Sequence, residues 1–173
     1  MAACSGTAAG PAPSVVAPIA TPPVADAPAP WVDVASDEGG FKAQFPIAPI
    51  VRRENEGRLI YELDTDEARF VVQSVPIHDD TPAEKIMSAV IAGVQAGGTE
   101  LIDARSSTPD GMLQLDARIV TGGLPGQIRL IVDPHHRVLI FSVKFLGQQR
   151  SELAERFFAA CVVLRRTRGG LTR

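Results

Sequence analysis

The chain has 173 residues, of which 45% are hydrophobic and 21% charged, and a net charge of −3. This composition is typical of one ordinary globular domain. The nearly balanced charge argues against a nucleic-acid partner, because such affinity rests on many uncompensated contacts to phosphates. Two cysteines, Cys4 and Cys161, exclude a framework of disulfides. No apolar stretch reaches the ~18 residues that a membrane helix needs.

The first 30 residues are predicted to be a disordered tail. Residues 5–30 contain seven prolines and eight alanines, and Asp26 is their only charge. Proline blocks helices and lacks the amide donor of a sheet, and this composition buries too little apolar surface to offset the entropy of ordering. Residues 167–173 are also predicted to be a disordered tail. The basic residues at that end are expected to be solvated: Arg165, Arg166, Arg168 and Arg173.

Cys4 stands at the head of this spacer, directly after Met1-Ala2-Ala3. The tetrapeptide resembles the end of a bacterial lipobox, Leu-Ala-Ala-Cys, in which the cysteine becomes the lipidated first residue. Met1 stands where leucine would be, and a start codon assigned too late would explain the missing basic and apolar regions. The resemblance implies a cell-envelope lipoprotein anchored to a membrane through Cys4, since two or more acyl chains anchor stably. A cytoplasmic protein with an alanine-rich start is the alternative.

Residues 31–166 are predicted to form one α+β domain, which Trp31 opens. Phe41–Phe45 alternates apolar and polar residues, which indicates a strand between the turn at residues 37–40 and Pro46. Arg58–Asp64 and Ala68–Pro76 are predicted to be two further strands. The three residues between them are a hairpin-sized gap.

Residues 81–98 carry the signals of a helix. Thr81-Pro82-Ala83-Glu84 is a capping box that places proline at the first helical position. Gly97-Gly98 supplies the stop. The apolar residues in between fall at helical spacing, one stripe that predicts a face buried in the core: Met87, Val90, Ile91 and Val94.

Beyond this helix the apolar period returns to two. Residues 113–119 and 128–132 alternate as half-buried antiparallel strands do. Val138–Phe145 is nearly all apolar, which predicts a central strand covered on both faces. Ser151–Cys161 is predicted to be a second helix with Leu153, Phe157 and Cys161 on its apolar stripe, so Cys161 is interpreted as a core thiol. Residues 162–164 are expected to close the fold as a helix end or a short strand.

The order of strands, helix, strands, helix predicts an antiparallel β-sheet flanked by helices. Trp31, then Glu38-Gly39-Gly40-Phe41, then Phe45-Pro46, together with Arg156-Phe157-Phe158 in the last helix, resembles the PsbP-like α/β/α sandwich of bacterial secreted proteins and lipoproteins. That superfamily includes photosystem accessory proteins and a nuclear-import factor. The resemblance implies a non-catalytic role in binding or scaffolding another envelope component, with an unknown protein as partner.

One polar cluster carries an alternative hypothesis. His78, Asp80, Asp133 and His135 would form a metal site or a small active site if the fold brought them together. Asp133-Pro134 is also good type I turn chemistry, and acids before a helix complement its dipole. These simpler explanations are favoured, so no metal, cofactor or catalytic residue is expected. A cytoplasmic partner-binding domain is the third hypothesis.

Overall fold

The computed structural model describes residues 30–78, 80–133 and 137–164. Neither helix in these ranges is long and apolar enough to cross a membrane. Predictions for Cys4, both tails and the arginines from 165 onward fall outside the described residues. The elements are β1 Val32–Ser36, β2 Phe41–Phe45, β3 Ile50–Arg53, β4 Leu59–Asp64, β5 Ala68–Pro76, α1 Ala83–Ala96, β6 Thr99–Ser107, β7 Leu113–Thr121, β8 Leu124–Asp133, β9 Arg137–Phe145, α2 Ser151–Ala160 and β10 Val162–Val163.

The described strands form two antiparallel sheets, where the sequence predicted one. The larger sheet has the order β3-β4-β5-β9-β8-β7-β6, and the smaller has the order β1-β2-β10. The pairing of Val162 with Lys42 makes residues 162–163 a short strand, one of the two outcomes that the sequence left open. The fold is α+β, as predicted.

Each face of the large sheet is covered over only part of its width. The alternation of β4 sends Leu59, Tyr61 and Leu63 towards the small sheet and α2, and Ile60 and Glu62 to the opposite face. On that opposite face α1 packs over β6, β7 and β8. Beyond these strands, the core beneath α1 reaches only the adjoining ends of β5 and β9, at Val75, Val138 and Ile140, so most of the face formed by β3, β4, β5 and β9 has no helix over it in the described structure.

Aromatic rings fill the core between the two sheets. Phe157 of α2 lies against Phe45 and Phe70, with ring centroids 5.5 and 5.4 Å apart. Phe41 meets Tyr61 edge-on at 4.9 Å. Phe157, from the predicted aromatic motif of α2, thus contacts both the small sheet and the large one. Aromatic pairs of this kind contribute more stability than the area they bury accounts for.

The turn before β2 is fixed to the large sheet by buried hydrogen bonds. The Ser36 hydroxyl accepts from the amide of Gly39 and from the Tyr61 hydroxyl, each at 2.8 Å. Gly40 has φ +70°, and a Cβ there would lie 2.9 Å from the Arg137 side chain. The Gly-Gly pair of the predicted turn is therefore required by backbone conformation and by close packing.

Helix α1 begins one residue later than the capping box predicted. Pro82 occupies the N-cap position, and the helix has no side-chain cap hydrogen bond. Since Pro82 has extended backbone angles, with ψ 139°, it cannot be the first helical residue. The predicted stop is confirmed, because the helix ends at Ala96 and Gly98 has φ +78°.

Candidate functional site: a groove beside helix α1

The uncovered part of the large sheet forms a groove of about 600 Å³ that runs alongside α1. Its floor is the face of β4, β5, β9 and β8, and one wall is the half-buried edge of α1, formed by Val90 and Val94. The floor and the rim of the groove include these side chains: Arg52, Arg58, Ile60, Glu62, Arg69, Val71, Gln73, Ile140, Ser142 and Lys144.

The strand register places the side chains of the groove floor in rows that cross the sheet. One row joins Ile60, Gln73 and Ile140 on β4, β5 and β9. A second row joins Glu62, Val71 and Ser142 on the same strands. Polar and apolar side chains alternate along both rows. The floor is consequently amphipathic, whereas the core beneath α1 is built on a cluster of buried apolar side chains.

The groove corrects one prediction about β9. The apolar run of residues 138–145 predicted a central strand covered on both faces, and the sheet order confirms that β9 is central. Its groove face is open, however, because Ile140, Ser142 and Lys144 are only half-buried. The only sequence signal was Ser142 and Lys144 themselves, the two polar residues inside the run.

The single carboxylate among the described lining residues is held by two arginines. Glu62 pairs with Arg52 at 2.5 Å and with Arg69 at 3.3 Å. Arg69 also forms a bidentate pair with Asp64, at 2.6 and 2.8 Å, and this hydrogen bonding holds the pKa of the Asp64 carboxyl below its usual value. Two guanidinium groups thus engage the Glu62 carboxylate, which leaves it less available to contact a ligand directly.

Lys144 is the cation of the groove without a carboxylate partner among the described residues. It lies directly opposite Arg69 on the neighbouring strand. Like charges opposite one another across two strands are destabilising. Because Arg69 is already paired with Asp64 and Glu62, Lys144 is the excess positive charge on an otherwise paired surface.

Arg58 closes the groove at the end of β4. One of its terminal nitrogens donates to Gln73 at 2.5 Å, and the other lies 3.3 Å from Glu54. Its Nε is buried without a hydrogen-bond partner in the described structure. An unmade bond of this kind costs free energy, so the Arg58 head group is held at the rim by its two terminal nitrogens.

A second hollow lies on the other face of the sheet, beside α2. It has a volume of about 710 Å³ and is also lined by charged residues. Four of those charges form two pairs: Arg129 with Asp116 at 2.7 Å, and Arg118 with Asp103. The other two, Arg105 and Glu155, have opposite signs, so the lining carries no net charge. This hollow therefore gives a weaker indication of a charged ligand than the groove does.

The residues of the predicted metal cluster are not brought together within the described structure. His78 and Asp80 are exposed, whereas Asp133 is only 9% exposed at the end of β8. His135 lies outside the described residues. Among those that the structure describes, no three His, Cys, Asp or Glu residues are placed to hold a metal ion. The two strands pair up to Asp133 and Arg137, and the predicted turn between them lies outside the described residues.

Cys161 lies at the edge of the aromatic core rather than on the stripe of α2. It follows the last helical residue, and its thiol donates to the carbonyl of Phe157 at 3.2 Å. Burial raises the pKa of this thiol to about 12, against a weaker lowering by the charge of Arg129. A thiol so rarely ionised is a poor nucleophile, and Cys161 is free within the described part of the chain.

Comparison with known proteins places the fold. No protein-family model and no curated protein matches this chain. Among solved structures, the cyanobacterial PsbP protein (CyanoP) of Synechocystis sp. PCC 6803 is similar, with a TM-score of 0.51 over 77% of this chain and 92% of that one. The sequence identity is 14%, so the likeness concerns the fold.

Proposed function

We propose that this chain is a non-catalytic binding protein of the bacterial cell envelope, anchored by lipid on Cys4, which holds a partner protein in the groove beside α1. The observation that carries the binding role is the large sheet's open face. An antiparallel sheet commonly turns one face to water, and that face is then polar. Here the open part of the face carries the half-buried apolar residues Val71 and Ile140 beside the apolar edge of α1. Helix α1 and its core reach only the ends of β5 and β9 on this part of the face.

The chemistry of the groove supports binding over catalysis. Glu62 is engaged by two arginines, and Ser142 lies between Val71 and Ile128 on the adjacent strands. A hydroxyl becomes a nucleophile when a base lies within hydrogen-bond reach. Neither of its strand neighbours supplies one. What remains is a mixed apolar and charged surface, which is the ordinary composition of a protein interface.

The envelope anchor rests on the sequence before the domain. Cys4 stands in lipobox context at the head of a proline- and alanine-rich spacer. Such a spacer keeps a domain away from the surface to which its end is attached. The anchor and the groove are independent parts of the proposal, and each has its own test.

The anchor is tested by expressing the gene from its native locus and measuring the intact mass of the protein in the membrane fraction. We expect a mass increase that corresponds to a diacylglyceryl group and a further acyl chain. A Cys4→Ala variant should leave the membrane fraction. An unmodified Cys4, or a cytoplasmic wild-type protein, would refute the anchor and favour a cytoplasmic binding domain.

The binding role is tested by photo-crosslinking in intact cells. Gly93 lines the groove, and a Cβ added there meets no atom within 4 Å, so a photoreactive amino acid fits at this position. Ala92 is exposed on the same helix outside the groove lining and provides the matched control. We expect a discrete protein adduct from position 93 and none from position 92. Equal adducts at both positions, or none at either, would contradict a partner in the groove.

A further inference from the structure

We infer that the groove binds an amphipathic helix of the partner protein, with an acidic residue of that helix facing Lys144. This inference rests on the proposed binding function and specifies the chemistry of the partner. Three features carry it: the width of the open sheet face, the apolar wall of α1 and the charge of Lys144 beside Arg69.

Geometry leaves room for one more helix. Strands in a sheet are about 4.8 Å apart, so β3, β4, β5 and β9 span about 14 Å between their outer axes. A helix with its side chains is about 10–12 Å across. Neighbouring helices on a sheet lie about 8–10 Å apart. Helix α1 lies over β6, β7 and β8, so a helix centred over β9, two strand spacings or about 9.6 Å from β7, would contact the sheet and α1 at once.

Helix α1 presents an apolar edge to this space. Its stripe was predicted to face the core, yet only Met87 is fully buried in the structure, while Val90 and Val94 are half-buried and line the groove. On the floor, Val71 and Ile140 are also half-buried. A second helix with an apolar stripe would cover these four side chains, as helix-in-groove recognition does.

The groove charge that is unpaired among the described residues indicates which charge the partner helix carries beside its apolar stripe. Arg52, Arg58 and Arg69 each have a carboxylate of this chain within ion-pair distance. Lys144 has none among the described residues and faces Arg69 across the strands. A carboxylate brought to Lys144 would relieve the repulsion within this pair. The groove therefore favours an acidic flank over a basic one.

A peptide probe tests the inference. The probe is an amphipathic peptide of about 18 residues, longer than the ~12–15 below which isolated helices are marginal. It has leucine along one helical stripe, glutamate beside the stripe and glutamine elsewhere. One control peptide replaces glutamate by lysine. Another keeps the composition but alternates leucine and polar residues with the period of a strand. Binding to the full chain is followed by fluorescence anisotropy.

Variants at Lys144 test where the peptide binds. Lys144→Met removes the charge and keeps the length, and Lys144→Arg keeps the charge. We expect Lys144→Met to weaken binding about fivefold, the size of an exposed ion pair, and Lys144→Arg to retain it. Lys85→Met is the control, since Lys85 is exposed on α1 and does not line the groove. Binding should also weaken as salt rises, because salt screens exposed charges.

Three outcomes would overturn the inference. Equal binding of the acidic peptide by the Lys144→Met and Lys85→Met variants would place the interaction elsewhere. Preference for the alternating peptide would assign the groove to an extended segment. Binding to phosphatidylglycerol vesicles but to none of the peptides would assign it to a lipid surface. A crosslink from position 93 combined with any of these results would refute the helix and leave the binding function intact.

Discussion

Ser74 connects the turn before β2 to the large sheet. It is fully buried, and its hydroxyl donates to the carbonyl of Gly39 at 2.8 Å and accepts from Arg137 at 2.6 Å. Ser74→Ala removes both bonds at a site that water cannot reach. We expect it to lower the free energy of unfolding by about 1–3 kcal/mol, the cost of leaving buried polar groups unsatisfied.

Urea denaturation of the purified protein measures this loss. Ser88→Ala is the matched control, because Ser88 is exposed on α1 and its hydroxyl bonds only to the carbonyl of Glu84. A change within about 0.5 kcal/mol is expected there. Equal effects of the two substitutions would mean that Ser74 is not a structural link.

Cys161 gives stability a dependence on alkaline pH. Burial raises the pKa of its thiol from 9.0 to about 12 in the folded state. Between these values the unfolded chain loses the proton while the folded chain keeps it, so stability present below pH 9 falls as pH rises. At pH 10 the loss is about 1 kcal/mol, because one pKa unit corresponds to about 1.4 kcal/mol.

The difference between wild type and Cys161→Ala isolates this loss from other titrations. Urea midpoints of both proteins are measured at pH 7 and pH 10. Wild type should lose about 1 kcal/mol more than the variant between the two values. If both proteins lost the same amount, the thiol would not be protected by burial.

At the scale of elements, two glycines in regular structure have opposite roles. A Cβ added to Gly93 in α1 meets no atom within 4 Å. Gly93→Ala should therefore stabilise the protein by about 0.5–1 kcal/mol, since glycine is a poor helix former. A Cβ on Gly126 in β8 would lie 2.3 Å from the carbonyl oxygen of Val143. Gly126→Ala should destabilise by about 1–3 kcal/mol, because the backbone must move.

Thermal unfolding of the two alanine variants compares these expectations directly. A rise in midpoint for Gly93→Ala and a fall for Gly126→Ala are the predicted signs. A lower unfolding midpoint for Gly93→Ala would show that this position requires glycine for a reason other than the space around its Cβ.

Local patterns predicted the elements whose signals are self-contained. The hairpin of β4 and β5, the strand β9 and both helices lie within a residue of their predicted bounds, because alternation, apolar runs and glycine stops are local. Strands β1, β3 and β6 were not predicted. Strand β3 is exposed at every position, and β6 is bulged between Ile102 and Arg105. Neither therefore has the alternation that a half-buried strand shows.

The groove could not be predicted in the same way. Its residues come from strands far apart in the chain, and their proximity follows from the order in which β5 and β9 pair. Arg69 and Lys144 each looked like an ordinary polar position in a strand. Only the register shows that they face one another. That α1 covers part of the sheet face is likewise a property of packing, to which the sequence of α1 gives no clue.

The large sheet contributes to two hydrophobic cores. We therefore expect the whole molecule to unfold as one unit. Met87 is buried under α1 in one core, whereas Trp31 packs against Phe70 in the other, with ring centroids 5.8 Å apart. Trp31 is the only tryptophan. Its fluorescence therefore reports on the core that lies away from Met87.

Met87→Ala should cost about 2–5 kcal/mol, as truncations in a core do. We expect the midpoint measured by Trp31 fluorescence to shift as far as the midpoint measured by circular dichroism, because both cores depend on β8 and β9. Coincident transitions are the mark of two-state behaviour. A shift seen by circular dichroism alone would show that the halves of the sheet unfold separately.

Both ends of the described domain lie at the small sheet. Trp31 leads into β1, and Leu164 follows β10 with its amide bonded to Gly40, so both ends of the described domain leave from the same layer. The groove lies on the opposite face of the large sheet. An attachment at either end therefore starts on the side of the domain away from the groove, which leaves the groove accessible to a binding partner from solution.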